Sequence, residues 1–126
     1  MISSSHSTLL ITGISGYVGR ALAQRVAQSS FFRVIGTYLN HPVSFPGIET
    51  TQLDIANPIA VQTLFAAVRP AVVIHTAANV LDATHFEDSI VQGTRNVVFE
   101  SANHRARLIH VSSDVIFDGE HAPYDE

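Results

Sequence analysis

Apolar residues recur along the chain in two alternating rhythms: short unbroken runs of about five, and longer stretches in which they return every three or four positions. The first is the mark of buried strands and the second of helices packed on one face. The segments read as strands are Thr8–Thr12, Arg33–Tyr38, the short Thr50–Leu53 that follows a break at Pro46-Gly47, Ala71–His75 and Arg107–Val111. Between the first two, Val18, Ala21, Leu22 and Val26 line one face of a helix expected from about Tyr17. Asn57 is a good N-cap and Pro58 suits a first helical position. Val61, Leu64, Phe65 and Val68 then keep helical spacing until Pro70 blocks continuation. A further helix is expected from about Thr84 to Asn103, offering Phe86, Ile90, Val97 and Val98 to the core. Asn40-His41-Pro42 and Pro46-Gly47 break the chain between the second and third strands, and Ser112 to Glu126 reads as loop.

Strands alternating with helices imply parallel βα units. The fold expected is therefore α/β: a doubly wound Rossmann-type parallel sheet in the order 3-2-1-4-5, with helices on both faces. At 126 residues and 46% hydrophobic content the chain is the size of one domain with a packed core. Residues 1–7 read as a flexible tail and 8–126 as the folded unit. The tail has neither a basic start nor an apolar centre, so it does not read as a signal peptide.

Composition narrows the function. A net charge of −4 offers no basic field for nucleic acid or an anionic membrane surface. The longest mainly apolar run, Ala71 to Leu81, is interrupted by His75 and Asn79 and is too short to span a bilayer. Without cysteine there are no disulfides, thiolate nucleophiles or Cys-ligated zinc, which fits a reducing cytoplasm, and no metal site is expected. All seven basic residues are arginines, so a mechanism needing lysine cannot be completed by these residues alone.

The most informative segment is Thr12-Gly13-Ile14-Ser15-Gly16-Tyr17-Val18-Gly19, with glycines at three-residue spacing between a strand and a helix. Gly13 can make the tight turn, Gly16 can let backbone approach a pyrophosphate, and Gly19 can let helix pack closely on strand. The amides near Tyr17 and Val18 would face the anion with the helix dipole behind them. The same spacing also occurs in turns that bind nothing, but its place first in a βαβ unit favours a dinucleotide. At the end of the second strand, Thr37-Tyr38-Leu39-Asn40-His41 lacks the carboxylate that would meet an unmodified ribose, which favours NADP over NAD.

The segments from Thr12 to Gly19, Leu53-Asp54-Ile55, His75-Thr76-Ala77-Ala78 and Gly93-Thr94-Arg95-Asn96 resemble, in order, motifs of the extended short-chain dehydrogenase/reductase family. Val111 to Gly119 is similar to the segment after the fifth strand in dTDP-4-dehydrorhamnose reductases and in the related regulatory subunit of methionine adenosyltransferase. The resemblance implies an NADP or NAD cofactor touching Gly13, Ser15, Gly16, Tyr17, Val18, Gly19, Asp54, Ile55, Ala77 and Ala78. It also implies hydride transfer to a keto group of a nucleotide-linked sugar, with Ser113 as the catalytic hydroxyl on the substrate oxygen. Other readings stand beside these. Ser113 can simply cap a strand end, and Asp54 can be a turn or N-cap carboxylate near Pro58. His75 reads as a satisfied core or edge histidine, and no chemistry is assigned to it.

There are departures too. The family's Tyr, with a Lys four residues later, is not found: Tyr124 follows Ser113 too closely, and only Asp125 and Glu126 come after it. The chain is thus expected to stop before that pair and before the family's substrate domain, and to be inactive alone. Ile90 replaces an asparagine of the family pattern, and the loop after Ala78 is short. The alternative is a non-catalytic dinucleotide-binding or regulatory module.

Overall fold

The computed structural model describes residues 6–78, 87–112, 119–120 and 123. Among them, β1 (Ser7–Thr12), β2 (Phe32–Tyr38), β3 (Glu49–Gln52), β4 (Val72–His75) and β5 (Arg107–His110) form one parallel sheet in the order β3-β2-β1-β4-β5. The expected order is the one found. Strand ends shift by a residue or so: Ser7, assigned to the tail, pairs with Phe32, whereas Leu53 and Val111 fall just past their strands.

Alternation along the strands divides the core into two. Leu9, Ile11 and Val34 point to the face covered by Ala23 of α1 (Tyr17–Val26) and by Ile48. Leu10, Ile35 and Val73 point to the other, against Val61 and Phe65 of α2 (Pro58–Val68) and Val97 of α3 (Gly93–Asn103). Helices thus lie on both faces, as the parallel sheet requires. β4 is less enclosed than expected: Val73 and His75 are buried, but Val72 and Ile74 only half so.

α2 forms where its punctuation puts it. Asn57 Oδ1 accepts the Ile59 and Ala60 amides at 3.1 Å, and Pro58 occupies the first turn. The helix ends at Arg69, held in the left-handed region at φ 48°.

The third helix departs from expectation. Glu87–Gln92 is π-helical, and regular α-helix begins only at Gly93. Phe86 and the expected start at Thr84 lie outside the described residues. Val98, expected in the core, is 45% exposed. Val97 is in the core as expected, and Gly93, Glu100 and Ser101 complete the inward stripe. Two of these are polar but satisfied locally, Ser101 by donating to the Val97 carbonyl at 2.7 Å and Glu100 by His104 at 3.5 Å. Hydrophobicity alone therefore pointed one position too far round the helix. No helix among the described residues is long and apolar enough to cross a membrane.

Candidate functional site

The carboxyl ends of β1, β2 and β4 converge on a cavity of about 420 Å³, within the usual size of ligand pockets. Its floor is the glycine turn. Gly13 has φ +72°, which only glycine adopts without strain, and a Cβ there would fall 2.7 Å from Ala77 Cα. The Gly16 amide donates to the Gly13 carbonyl at 3.0 Å, closing the turn, and Gly16 then caps α1. Gly19 faces the other way: a Cβ would lie 2.2 Å from the Gly13 oxygen, so its bareness lets α1 sit on the end of β1.

The three glycines therefore divide the labour that their spacing suggested. Gly13, Ser15 and Gly16 line the cavity, whereas Gly19 acts in packing. Tyr17 and Val18 begin α1 and are exposed, Tyr17 by 92%; neither side chain lines the cavity. Only their amides, which lead the helix and have no ladder partner of their own, are placed to meet an anion. No acidic residue sits in that first turn to oppose one.

The walls come from the other strand ends. Leu53, Asp54 and Ile55 form one side, Thr76, Ala77 and Ala78 another. Asp54 lines the cavity, and its Oδ1 accepts the Ala56 amide at 3.0 Å in a local turn, one of the readings its position allowed. The third side is Thr37 to His41, whose composition was read for its missing carboxylate but whose individual residues were not named as contacts. Ser113 and Tyr124 lie outside the described residues.

Behind the wall lies a polar chain that spacing did not reveal. Thr12 Oγ1 approaches His75 Nδ1 at 2.6 Å, and His75 Nε2 approaches Thr94 Oγ1 at 3.1 Å. His75 is buried, as a satisfied core histidine should be, and its ring stacks on His110 with centroids 5.4 Å apart. Burial, and secondarily the neighbouring His110, lower its pKa to about 4. α3 also reaches the opposite wall, where Asn96 Nδ2 donates to the Ile55 carbonyl at 2.8 Å and Gly93 leaves room for the Ile55 side chain.

A family model described as RmlD substrate binding domain matches residues 7–126. The chain belongs to this family. Within the extended short-chain dehydrogenases, this RmlD-type chain is 29% identical over 117 residues to dTDP-4-dehydrorhamnose reductase of Aggregatibacter actinomycetemcomitans, covering 88% of the chain and 36% of the relative. It is 34% identical over 123 residues to methionine adenosyltransferase 2 subunit beta of Xenopus tropicalis, covering 93% and 35%. The chain thus spans about a third of the length of these curated relatives. Among solved structures, Bordetella bronchiseptica WbmG in complex with NAD and UDP superposes with a TM-score of 0.75 at 21% identity, over 84% of this chain and 37% of that one. At that identity the likeness speaks for the Rossmann-type fold.

Proposed function

We propose that residues 8–126 are the cofactor-binding part of an NAD(P)-dependent reductase acting on a keto group of a nucleotide-linked sugar. The observation that carries this reading is the glycine turn facing a cavity at the switch point of a doubly wound sheet, beyond the carboxyl ends of the neighbouring strands β1 and β4. The fit to a dinucleotide is physical. Gly13 and Gly16 present bare backbone to the cavity, and a Cβ at Gly16 would meet nothing of the protein nearer than the Gly13 oxygen at 3.4 Å. The room left there suits close approach by a phosphate. Asp54 and Ile55 would hold the adenosine end, and Ala77 and Ala78 would flank the cofactor's middle. Tyr38, Asn40 and His41 bring polar groups without a carboxylate to the ribose side, which favours NADP.

When bound, the nicotinamide supplies hydride to the keto carbon. Ser113 orients the carbonyl oxygen by hydrogen bonding. WbmG is described in complex with NAD and UDP, and a relative bears the name of a sugar-nucleotide reductase; both support the reading.

Calorimetric titration with NADPH and NADH tests it. Saturable binding is expected, tighter for NADPH and abolished by Gly16→Val, a variant whose Cβ meets no protein atom nearer than the Gly13 oxygen at 3.4 Å and whose folding is checked by its thermal midpoint. No binding up to millimolar concentration would refute the proposal. A second reading, a dinucleotide-binding module without catalysis, is favoured by the methionine adenosyltransferase subunit among the relatives.

A further inference from the structure

Three polar bonds converge on the Thr12 hydroxyl. Its oxygen accepts the amides of Ala77 at 3.3 Å and of Thr76 at 3.2 Å, the latter shared with the Thr12 carbonyl at 3.3 Å, besides contacting His75 Nδ1 at 2.6 Å. A hydroxyl has two lone pairs and one proton. With both lone pairs committed to amides, its proton has to go to Nδ1. Nδ1 is therefore bare, and the proton of the neutral imidazole sits on Nε2, from which it is donated to Thr94 Oγ1 at 3.1 Å. The chain of polarity runs in one direction, from α3 through β4 and β1 back to the two amides.

Those amides belong to the wall of the cavity. Thr76 and Ala77 line it, and Ala77 lies directly over the backbone of Gly13. Thr76 adds a second tie, its hydroxyl donating to the Thr12 carbonyl at 2.6 Å. Neither Thr12 nor His75 faces the cavity itself. Any influence they have on a ligand passes through the wall.

We propose that His75, as the Nε2-protonated neutral tautomer, is a positioning residue: by accepting the Thr12 proton it aims the hydroxyl oxygen at the Thr76 and Ala77 amides and so fixes the cavity wall against the glycine turn. Its effect on ligand affinity rests on the dinucleotide reading above; the tautomer and the wall geometry do not. A protonated Nδ1 would set two donors face to face across 2.6 Å, forcing the hydroxyl to turn, release the Ala77 amide and leave the Thr76 amide on the Thr12 carbonyl alone.

The nitrogen-15 shifts of the His75 ring in the unaltered chain at neutral pH are the first test. A bare Nδ1 with a protonated Nε2 is expected; the opposite tautomer overturns the proposal without any variant being made. Two substitutions follow. His75→Leu fills the space but removes the acceptor, whereas His75→Asn can place an amide oxygen near the position of Nδ1. Amide hydrogen exchange at Ala77 should accelerate about tenfold in His75→Leu relative to Val73, and less at Thr76, whose amide keeps the Thr12 carbonyl. NADPH affinity should fall by about the same factor as at Ala77, the size expected for losing one buried hydrogen bond. His75→Asn should recover most of both. Equal behaviour of the two variants, or acceleration spread evenly over the sheet, would reduce His75 to a packing residue. If His75→Leu does not fold, the tautomer and the protection retained in His75→Asn decide the matter. Failure of the unaltered chain to bind NADPH would sink the dinucleotide reading alone, because tautomer and exchange are measured without ligand.

Discussion

At the scale of single residues, the buried His75 makes folding sensitive to acid. Its pKa falls from an ordinary 6.5 to about 4 in the folded chain, where Thr12, Thr94 and the His110 ring face it. On acidification the unfolded chain takes up this proton first, so His75 lowers stability as pH drops from about 6.5 to about 4. The full loss is roughly 3 kcal/mol at about 1.4 kcal/mol per unit. Denaturant melts of the unaltered chain and His75→Asn should diverge over that window, the histidine form losing more; parallel curves would contradict the shift. Residue identity was informative where it was chemically singular. Gly13, Gly16 and Gly19 declare their roles because no other side chain lacks a Cβ. The partners of His75 stayed hidden because Thr12 lies 63 positions away, and only the β1–β4 register brings them together.

At the scale of elements, two changes separate capping from close packing. Asn57→Ala removes the side chain that accepts two amides at the start of α2 and should cost about 1 kcal/mol, read as a lower thermal midpoint. Gly19→Ala is harsher. Its Cβ meets backbone rather than a flexible side chain, so α1 has to lift from β1, at about 3 kcal/mol or loss of folding. A midpoint unchanged by Gly19→Ala would mean that α1 is not held at the glycine turn as described. α2 was legible in full because an N-cap, a proline at each end and unbroken spacing agree. α3 was not. Its inner face carries Glu100 and Ser101, its outer face Val98 and Phe99, and the π-helical stretch ahead of Gly93 gives no signal in an apolar count.

At the scale of the whole molecule, sheet order was legible because alternating βα units with right-handed crossovers leave few arrangements. The cavity followed, since a doubly wound sheet opens where its order reverses. What chemistry is completed there depends on groups that strand order does not supply. The 126 residues include no lysine, and they are expected to bind NADPH without oxidising it when offered a nucleotide-linked keto-sugar. Sustained loss of absorbance at 340 nm, the ordinary nicotinamide signal, would show that they suffice. Binding should also be weak, and a submicromolar dissociation constant would mean that the cavity walls enclose the cofactor more fully than the described residues suggest.

The unequal space around the glycines bears on how such a chain can change over generations. Gly13 and Gly19 are tied to the fold, one by its φ and both by backbone lying within van der Waals distance, so replacing either strains the fold itself. Gly16 has an ordinary extended backbone, and a Cβ there would meet only the Gly13 oxygen, at 3.4 Å. A single base change from glycine to alanine or valine at that codon would close the turn to a phosphate while leaving the sheet intact. A lineage of this architecture can therefore give up its nucleotide in one step and remain a folded protein, free to be selected for another use. Such descendants would be recognised by a first and third glycine retained around a substituted second.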